Sequence, residues 1–386
     1  MQTDPSYKKY HWTILILCLP FFLMAAEINS TGNYENQIVS RLTRAFSSRK
    51  NIFKYTVQIG IDEIDTDQLS PMIQKARANC SDYIRYTIRD VETNVRGNRF
   101  QTEFIFYIKH ISTQREDQYV FKKAQKIASN INQWGLNVHQ VEKSINDYLV
   151  KNLEYDKSLK NESPYQALVT GRTTCLGYAL LAQLILDKAG LKNRIITGKL
   201  KSRDEGHAWN LVRLEGKWYH LDVTQNDMAY DSGNDMMLYG WYNLSDREIS
   251  STHSWERNDY PAASQNYFKT LMTLVGYDSY GKDRYLDLIN ELNLHYLYDE
   301  NTVYGIQKLD EKLKDVLKKR GKELSFRTNI NFVSIEKIKS RIVGIYKRNP
   351  KLARLAPIKK ISVQTNNYNR DRMRNTVVAQ VNFYYK

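Results

Sequence analysis

Gly171-Arg172-Thr173-Thr174-Cys175-Leu176-Gly177-Tyr178 places a cysteine between a polar, glycine-containing turn and an apolar run that continues to Ala189. Leu180, Leu181, Leu184 and Ile185 fall on more than one helical face, which is the pattern of a helix buried all round. Gly190 stands where a helix-ending glycine belongs. Cys175 therefore opens a buried helix. The N-terminal end of a helix dipole favours an anion, so a thiol there is placed to act as thiolate. A lone cysteine is by itself more often an inert buried hydrophobe, and the sequence downstream decides between the two readings.

Gly206-His207-Ala208-Trp209-Asn210-Leu211-Val212 reads as a strand, as does Lys217-Trp218-Tyr219-His220-Leu221-Asp222-Val223-Thr224, with Glu215-Gly216 as the turn between them. If those two residues form the tip, Trp209 faces Asp222 and His207 faces Thr224. Period-two alternation then puts His207, Trp209, Trp218, His220 and Asp222 on one face. His207 and Asp222 become diagonal neighbours, roughly 7–8 Å apart at the backbone. An aspartate on one imidazole nitrogen leaves the other free to take a proton from a thiol. His220 competes for that role, being two residues before Asp222 on the same face. It would pair with Leu211 nearer the turn, where packing against Trp209 and Trp218 is expected.

GRTTCLGYA (171–179), GHAWNLV (206–212) and WYHLDVT (218–224) together resemble the transglutaminase-like superfamily of papain-like folds, whose motifs run in the order Cys, His, Asp. The resemblance covers residues 115–262. It implies an α+β fold: a papain-like core in which N-terminal helices, including the nucleophile helix, pack on an antiparallel sheet. Carried over residue by residue, Cys175 is the nucleophile, His207 the general base and acid, and Asp222 the orienting carboxylate. Where the family has Trp after DVT, this chain has Gln225-Asn226-Asp227, a departure expected at the cleft wall. Gln166 is a candidate oxyanion donor, with helix or loop packing as its alternative role; Tyr155 and Asp156 are candidates to line the cleft, with capping and core packing as theirs, and Trp209 and His220 are further candidates at the cleft. The implied activity is thiol acyl transfer on a peptide or protein substrate, as a cysteine peptidase or amidase if water accepts the acyl group and as a cross-linking transglutaminase if an amine does. The alternative is a catalytically silent scaffold that binds cell-surface polymer or protein.

With 386 residues, 42% of them hydrophobic, the chain has globular composition and room for two or three domains. It has three cysteines, Cys18, Cys80 and Cys175, and no CxxC pair. This gives little support to a zinc site, and there is no motif for a nucleotide, flavin or metal cofactor. Lys8-Lys9 precedes an apolar run from Trp12 to Ala26. Residues 1–30 thus read as a signal peptide, or as an uncleaved membrane anchor, and predict an exported protein, extracellular, in the cell wall or membrane-anchored, whose Cys80 and Cys175 stay free.

Residues 31–114 predict an α-β-α-β-β module: a helix from Tyr34, strands at 53–61, 83–91 and 100–108, and a helix at 69–78. The core follows at 115–262, opened by helices at 118–134 and 138–153, then a helical bridge at 263–301. Residues 302–386 repeat the α-β-α-β-β order, with helices at 303–319 and 335–346 and strands at 324–332, 358–365 and 377–385. This last stretch carries 21 basic and 6 acidic residues, so its net of +15 equals that of the whole chain. It predicts contact with an anionic cell-wall polymer or membrane surface. Nucleic acid is not expected, since no binding motif accompanies the charge.

Overall fold

The computed structural model describes residues 31–132, 135–231, 239–329, 333–368 and 376–386. The expected leader at 1–30 lies outside them. No helix among the described residues is long and apolar enough to cross a membrane.

The chain begins with α1 (Thr31–Ser47), β1 (Ile52–Val57), α2 (Leu69–Ala78), α3 (Asp82–Thr87), β2 (Ile88–Gly97) and β3 (Thr102–His110). The three strands form an antiparallel sheet in the order β1-β3-β2, packed on α1 through Ile38, Leu42, Phe104 and Phe106. The strand expected at 83–91 is half wrong. Ser81 caps a helix by accepting a hydrogen bond from the Ile84 amide, and that helix buries Tyr83 and Thr87 before the strand starts at Ile88.

The central part comprises α4 (Gln114–Asn132), α5 (Val138–Asn152), β4 (Glu154–Tyr155), α6 (Pro164–Thr170), β5 (Arg172–Thr173), α7 (Cys175–Lys188), β6 (Asn193–Leu200), β7 (Glu205–Leu214), β8 (Lys217–Leu221), α8 (Val223–Asp231), α9 (Asp246–Ile249) and β9 (His253–Trp255). Helix α7 is the hub: every residue from Gly177 to Leu186 is buried, between α4, α5 and α6 on one side and the sheet on the other. The sheet runs β8-β7-β6-β9, antiparallel throughout. The β7–β8 hairpin has the expected register, with Leu211 opposite His220. Its tip residues Glu215 and Gly216 both take positive φ, 45° and 79°, as a type I′ turn requires. Ala208, Val212, Leu214, Tyr219 and Leu221 face α7, whereas Ile196, Trp209 and Leu211 line a second cluster on the opposite face.

Strand β8 stops at Leu221, short of the expected Thr224. Asp222 accepts a hydrogen bond from the Gln225 amide at 3.1 Å, and its carbonyl accepts one from Asn226 at 3.1 Å. It is the cap of α8, so Thr224 belongs to a helix and does not pair with His207. An aspartate that caps a helix ends a strand at the same point.

Helices α10 (Tyr267–Tyr277) and α11 (Lys282–Glu291) extend the central core. The chain ends with β10 (Thr302–Val303), α12 (Ile306–Lys318), β11 (Glu323–Asn329), α13 (Ile335–Arg348), α14 (Pro350–Leu355), β12 (Ile358–Asn367) and β13 (Thr376–Tyr385), in a sheet ordered β10-β11-β13-β12. Residues 330–332 of the expected 324–332 strand lie outside the described residues. Helix α14 has no counterpart among the sequence expectations; Pro350 at its first turn starts it.

Candidate active site

The start of α7 is fixed by what crosses it. Strands β4 and β5 pair in parallel, Tyr155 opposite Thr173. Thr173 donates its hydroxyl to the Asn161 carbonyl at 2.9 Å, and the Thr174 amide donates to the same oxygen at 2.8 Å. Asp156 is buried and closes this loop, accepting from the Ser158 amide and hydroxyl and from the Lys160 and Asn161 amides at 2.6–3.2 Å. Those bonds, with Ser158 foremost, hold its carboxyl down at about 2. Gly177 permits the crossing. A Cβ there would lie 1.8 Å from the Thr173 hydroxyl and 3.2 Å from the Glu162 carbonyl oxygen. The cap residue Thr174 makes no side-chain cap bond, so the first amides of α7 remain available beside the partly exposed Cys175 thiol.

His207, on β7, is 6% exposed, and the Cys175 sulfur is near enough to raise its pKa. Its Nε2 lies 2.7 Å from Asp222 Oδ2, which leaves Nδ1 for the thiol. Burial opposes a charge on His207, but the Asp222 carboxylate beside it and the Cys175 sulfur together raise it from 6.5 to about 10. Asp222 is fully buried. Burial works against its charge, yet His207 and then His253 hold it well below the usual carboxylate range. His253 Nε2 is 2.9 Å from the same Oδ2, and its Nδ1 is 2.8 Å from the Thr252 hydroxyl.

His253 arrives on β9, where Leu200 pairs with His253 and Gly198 with Trp255. Gly198 also faces His207 across β6–β7. A Cβ at 198 would lie 2.2 Å from the Ser254 carbonyl oxygen and 2.9 Å from the Trp209 ring, so the bare glycine lets the outer strand close onto the ring cluster. His253 was missed as a site residue on sequence. The signal was present: His207-Ala208-Trp209 and His253-Ser254-Trp255 are the same His-x-Trp pattern, carried on the two strands that flank β6.

The other candidates fall in distinct places. Trp209 is buried, stacks on His207 with centroids 5.8 Å apart, and donates its indole N–H to His220 Nδ1 at 3.0 Å. His220 Nε2 is 2.8 Å from Asp246. Both His220 nitrogens are thus engaged away from the thiol, and burial pushes its pKa down. Tyr155 lies close enough to Cys175, Glu205 and Arg203 to feel their charges; its pKa is raised, first by burial. Gln166 is not turned to the thiol: its Oε1 accepts from the Ser163 amide at 3.1 Å in the cap of α6. Residues 225–227 do not all form a cleft wall either. Asn226 bonds Asn146 and Asp227 accepts from Tyr178, both in the core.

Among the described residues, His207, Asp222 and His253 form the group whose ligand-type atoms lie within 4.8 Å of one another. Those atoms are already paired by hydrogen bonds, which account for the cluster without an ion.

Residues 125–223 match the family model of the transglutaminase-like superfamily. The kyphoscoliosis peptidases of Homo sapiens and Mus musculus are each 31% identical over 101 residues, covering 22% of this chain and 15% of theirs. The chain thus spans about 15% of the length of the curated relatives it matches. Similar solved structures include a TGase (14% identical, TM-score 0.26, covering 44% of this chain and 50% of that one). Another is the periplasmic domain of TgpA from Pseudomonas aeruginosa, bound to ethylmercury (15% identical, TM-score 0.24, covering 37% and 66%). The family match begins within α4 and ends just past Asp222, so the centre of this chain is similar to a transglutaminase-like core, with which its mixed helix-and-sheet architecture agrees.

Proposed function

We propose that this chain is a thiol acyl-transfer enzyme that cleaves peptide or glutamine amides, with Cys175 as nucleophile, His207 as acid and base, and Asp222 as its orienting partner. The observation that carries the reading is His207 itself, its Nε2 held at 2.7 Å by a fully buried carboxylate while the Cys175 sulfur at the start of α7 lies near enough to raise its pKa. The Cys175 sulfur attacks the amide carbonyl carbon. The oxyanion is taken by the Cys175 backbone N–H at the open end of α7. His207 gives its Nδ1 proton to the leaving amine, the C–N bond breaks, and a thioester remains. Water then gives a proton back to His207 and attacks; the C–S bond breaks and the thiolate returns. Water is favoured over an amine by the charged rim near Tyr155, where Arg203 and Glu205 lie, since a dry apolar mouth is what protects a thioester from hydrolysis.

Supporting export, the run from Trp12 to Ala26 has the length and composition of a signal-peptide core. We infer further that the basic residues of 302–386 hold the enzyme against an anionic surface.

Alkylation of Cys175, followed by peptide mass analysis across pH, tests the assignment. His207→Gln should slow the alkylation and His220→Gln should leave it unchanged; the reverse pattern would make His220 the base. Amide substrates assayed with and without an added amine separate release of acid from transamidation, and Cys175→Ala should abolish both. A chain that alkylates like a free thiol and turns over nothing would be the silent scaffold.

A further inference from the structure

Asp222 carries more than the one histidine that a triad uses. Its Oδ2 is 2.7 Å from His207 Nε2 and 2.9 Å from His253 Nε2, while Oδ1 accepts the Gln225 amide at 3.1 Å. His253 is 1% exposed. Its ring is set by Thr252 at Nδ1 and by an edge-on contact with Trp209, centroids 4.9 Å apart. With the Thr252 hydroxyl donating to Nδ1, a neutral His253 carries its proton on Nε2 and donates it to the carboxylate. A buried imidazole held this firmly against the oxygen that His207 uses does more than fill space.

Resting on the triad reading above, we propose that His253 is a positioning residue: its Nε2–H fixes the Asp222 carboxylate toward His207 and takes up part of the charge on the shared oxygen. In amide cleavage His207 has to release its proton to the leaving amine. A carboxylate satisfied by two donors stabilises the His207 imidazolium through Nε2 less than one facing His207 alone, so the Nδ1 proton leaves more readily. The charged and titratable groups that bear on this centre are Cys175 from α7, His207 from β7, Asp222 at the cap of α8 and His253 from β9. The His220–Asp246 pair lies beyond Trp209.

The test uses the full chain with 15N-labelled histidine and a Cys175→Ala background, so that it does not depend on the thiol. In H253F the His207 titration should move upward by at least about half a pH unit. H253Q, whose amide N–H can still donate, should return it close to the unsubstituted value. A purely structural role would lower stability in H253F without moving the titration of His207, and a folded H253F with an unmoved His207 overturns the proposal. Should H253F fail to fold, the chain without a His253 substitution decides: an Nε2-bound proton on His253 sheltered from solvent exchange is expected, and its absence also overturns the proposal. Alkylation of Cys175 in the unsubstituted chain tests the triad separately. A thiol that alkylates no faster than a free cysteine would sink the proposed function and leave the His253 result standing.

Discussion

Asp222 joins two tasks on one carboxylate, a helix cap through Oδ1 and a histidine pair through Oδ2, and Asp222→Asn separates them. An amide oxygen facing the histidines still accepts from His207, so activity should fall less than in Cys175→Ala or His207→Ala, assayed on the same amide substrate. The amide nitrogen then faces the Gln225 N–H and cannot accept it. Urea unfolding should show a loss of about 0.5–2 kcal/mol, the range for a lost cap. The pH dependence carries a sign. His207 is raised from 6.5 to about 10 in the folded chain, so the His207–Asp222 contribution is complete below 6.5 and is lost as pH rises through about 10. The stability gap between the unsubstituted chain and Asp222→Asn should therefore shrink across that window. The proximity of His207 to Asp222 was legible because each sits in a short motif on one arm of the hairpin. The contact of His253 was not, because its His-x-Trp pattern likens it to His207 but does not say that it will meet the carboxylate 31 positions before it.

Among the elements, α7 was the most legible, since an apolar run with no polar face has one place to go. The β7–β8 hairpin followed, because a Glu-Gly tip fixes the register once both residues take positive φ. Errors cluster where a capping residue cuts a run that alternates like a strand, at Ser81 and at Asp222. β-propensity in Tyr83-Ile84 or Asp222-Val223-Thr224 lost there to a side chain that satisfies helix amides. The short β4 and β5 left no pattern to read. Their pairing matters nonetheless, because it presses Thr173 onto the first turn of α7. Gly177→Ala should force that turn and the Thr173 hydroxyl apart, lowering stability by about 1–3 kcal/mol in urea unfolding and slowing alkylation of Cys175. Gly276→Ala, within α10 and with no atom within 4 Å of its added Cβ, controls for the generic effect of replacing a helical glycine.

Across the whole molecule, the first and last modules share more than the order expected of them. Apart from the two-residue β10, each runs helix, strand, two helices, strand, strand, and in each sheet the last strand lies between the two strands that precede it in sequence. Each also has a register break at the start of its penultimate strand, between Ile88 and Asp90 and between Ile358 and Lys360. Their surfaces differ. Residues 335–360 hold nine basic residues against the single acid Glu336; Lys337, Lys339, Lys347, Arg348, Lys351 and Arg354 on α13 and α14 are exposed, with Val343 and Leu355 beside them. Arg341 is neutralised by Asp310. Full-length chain should bind vesicles containing phosphatidylserine at low salt and release as salt rises. Lys347→Glu, Lys351→Glu and Arg354→Glu together should abolish binding without changing Cys175 alkylation. Net charge placed this patch in the right third of the sequence; only the folded helices show which side chains share a face.

Strand β9 has three residues, lies at the edge of its sheet and pairs with β6 across more than fifty positions of chain. A contact of that range and brevity closes late in folding and opens early, because the entropy of the long loop is offset by few bonds. The carboxylate that orients His207 is therefore completed by the least protected strand of the sheet. Local opening there would part Asp222 from His253 while leaving α7 and the hairpin intact, so the lifetime of this contact is set by the fraying of one edge rather than by the stability of the core.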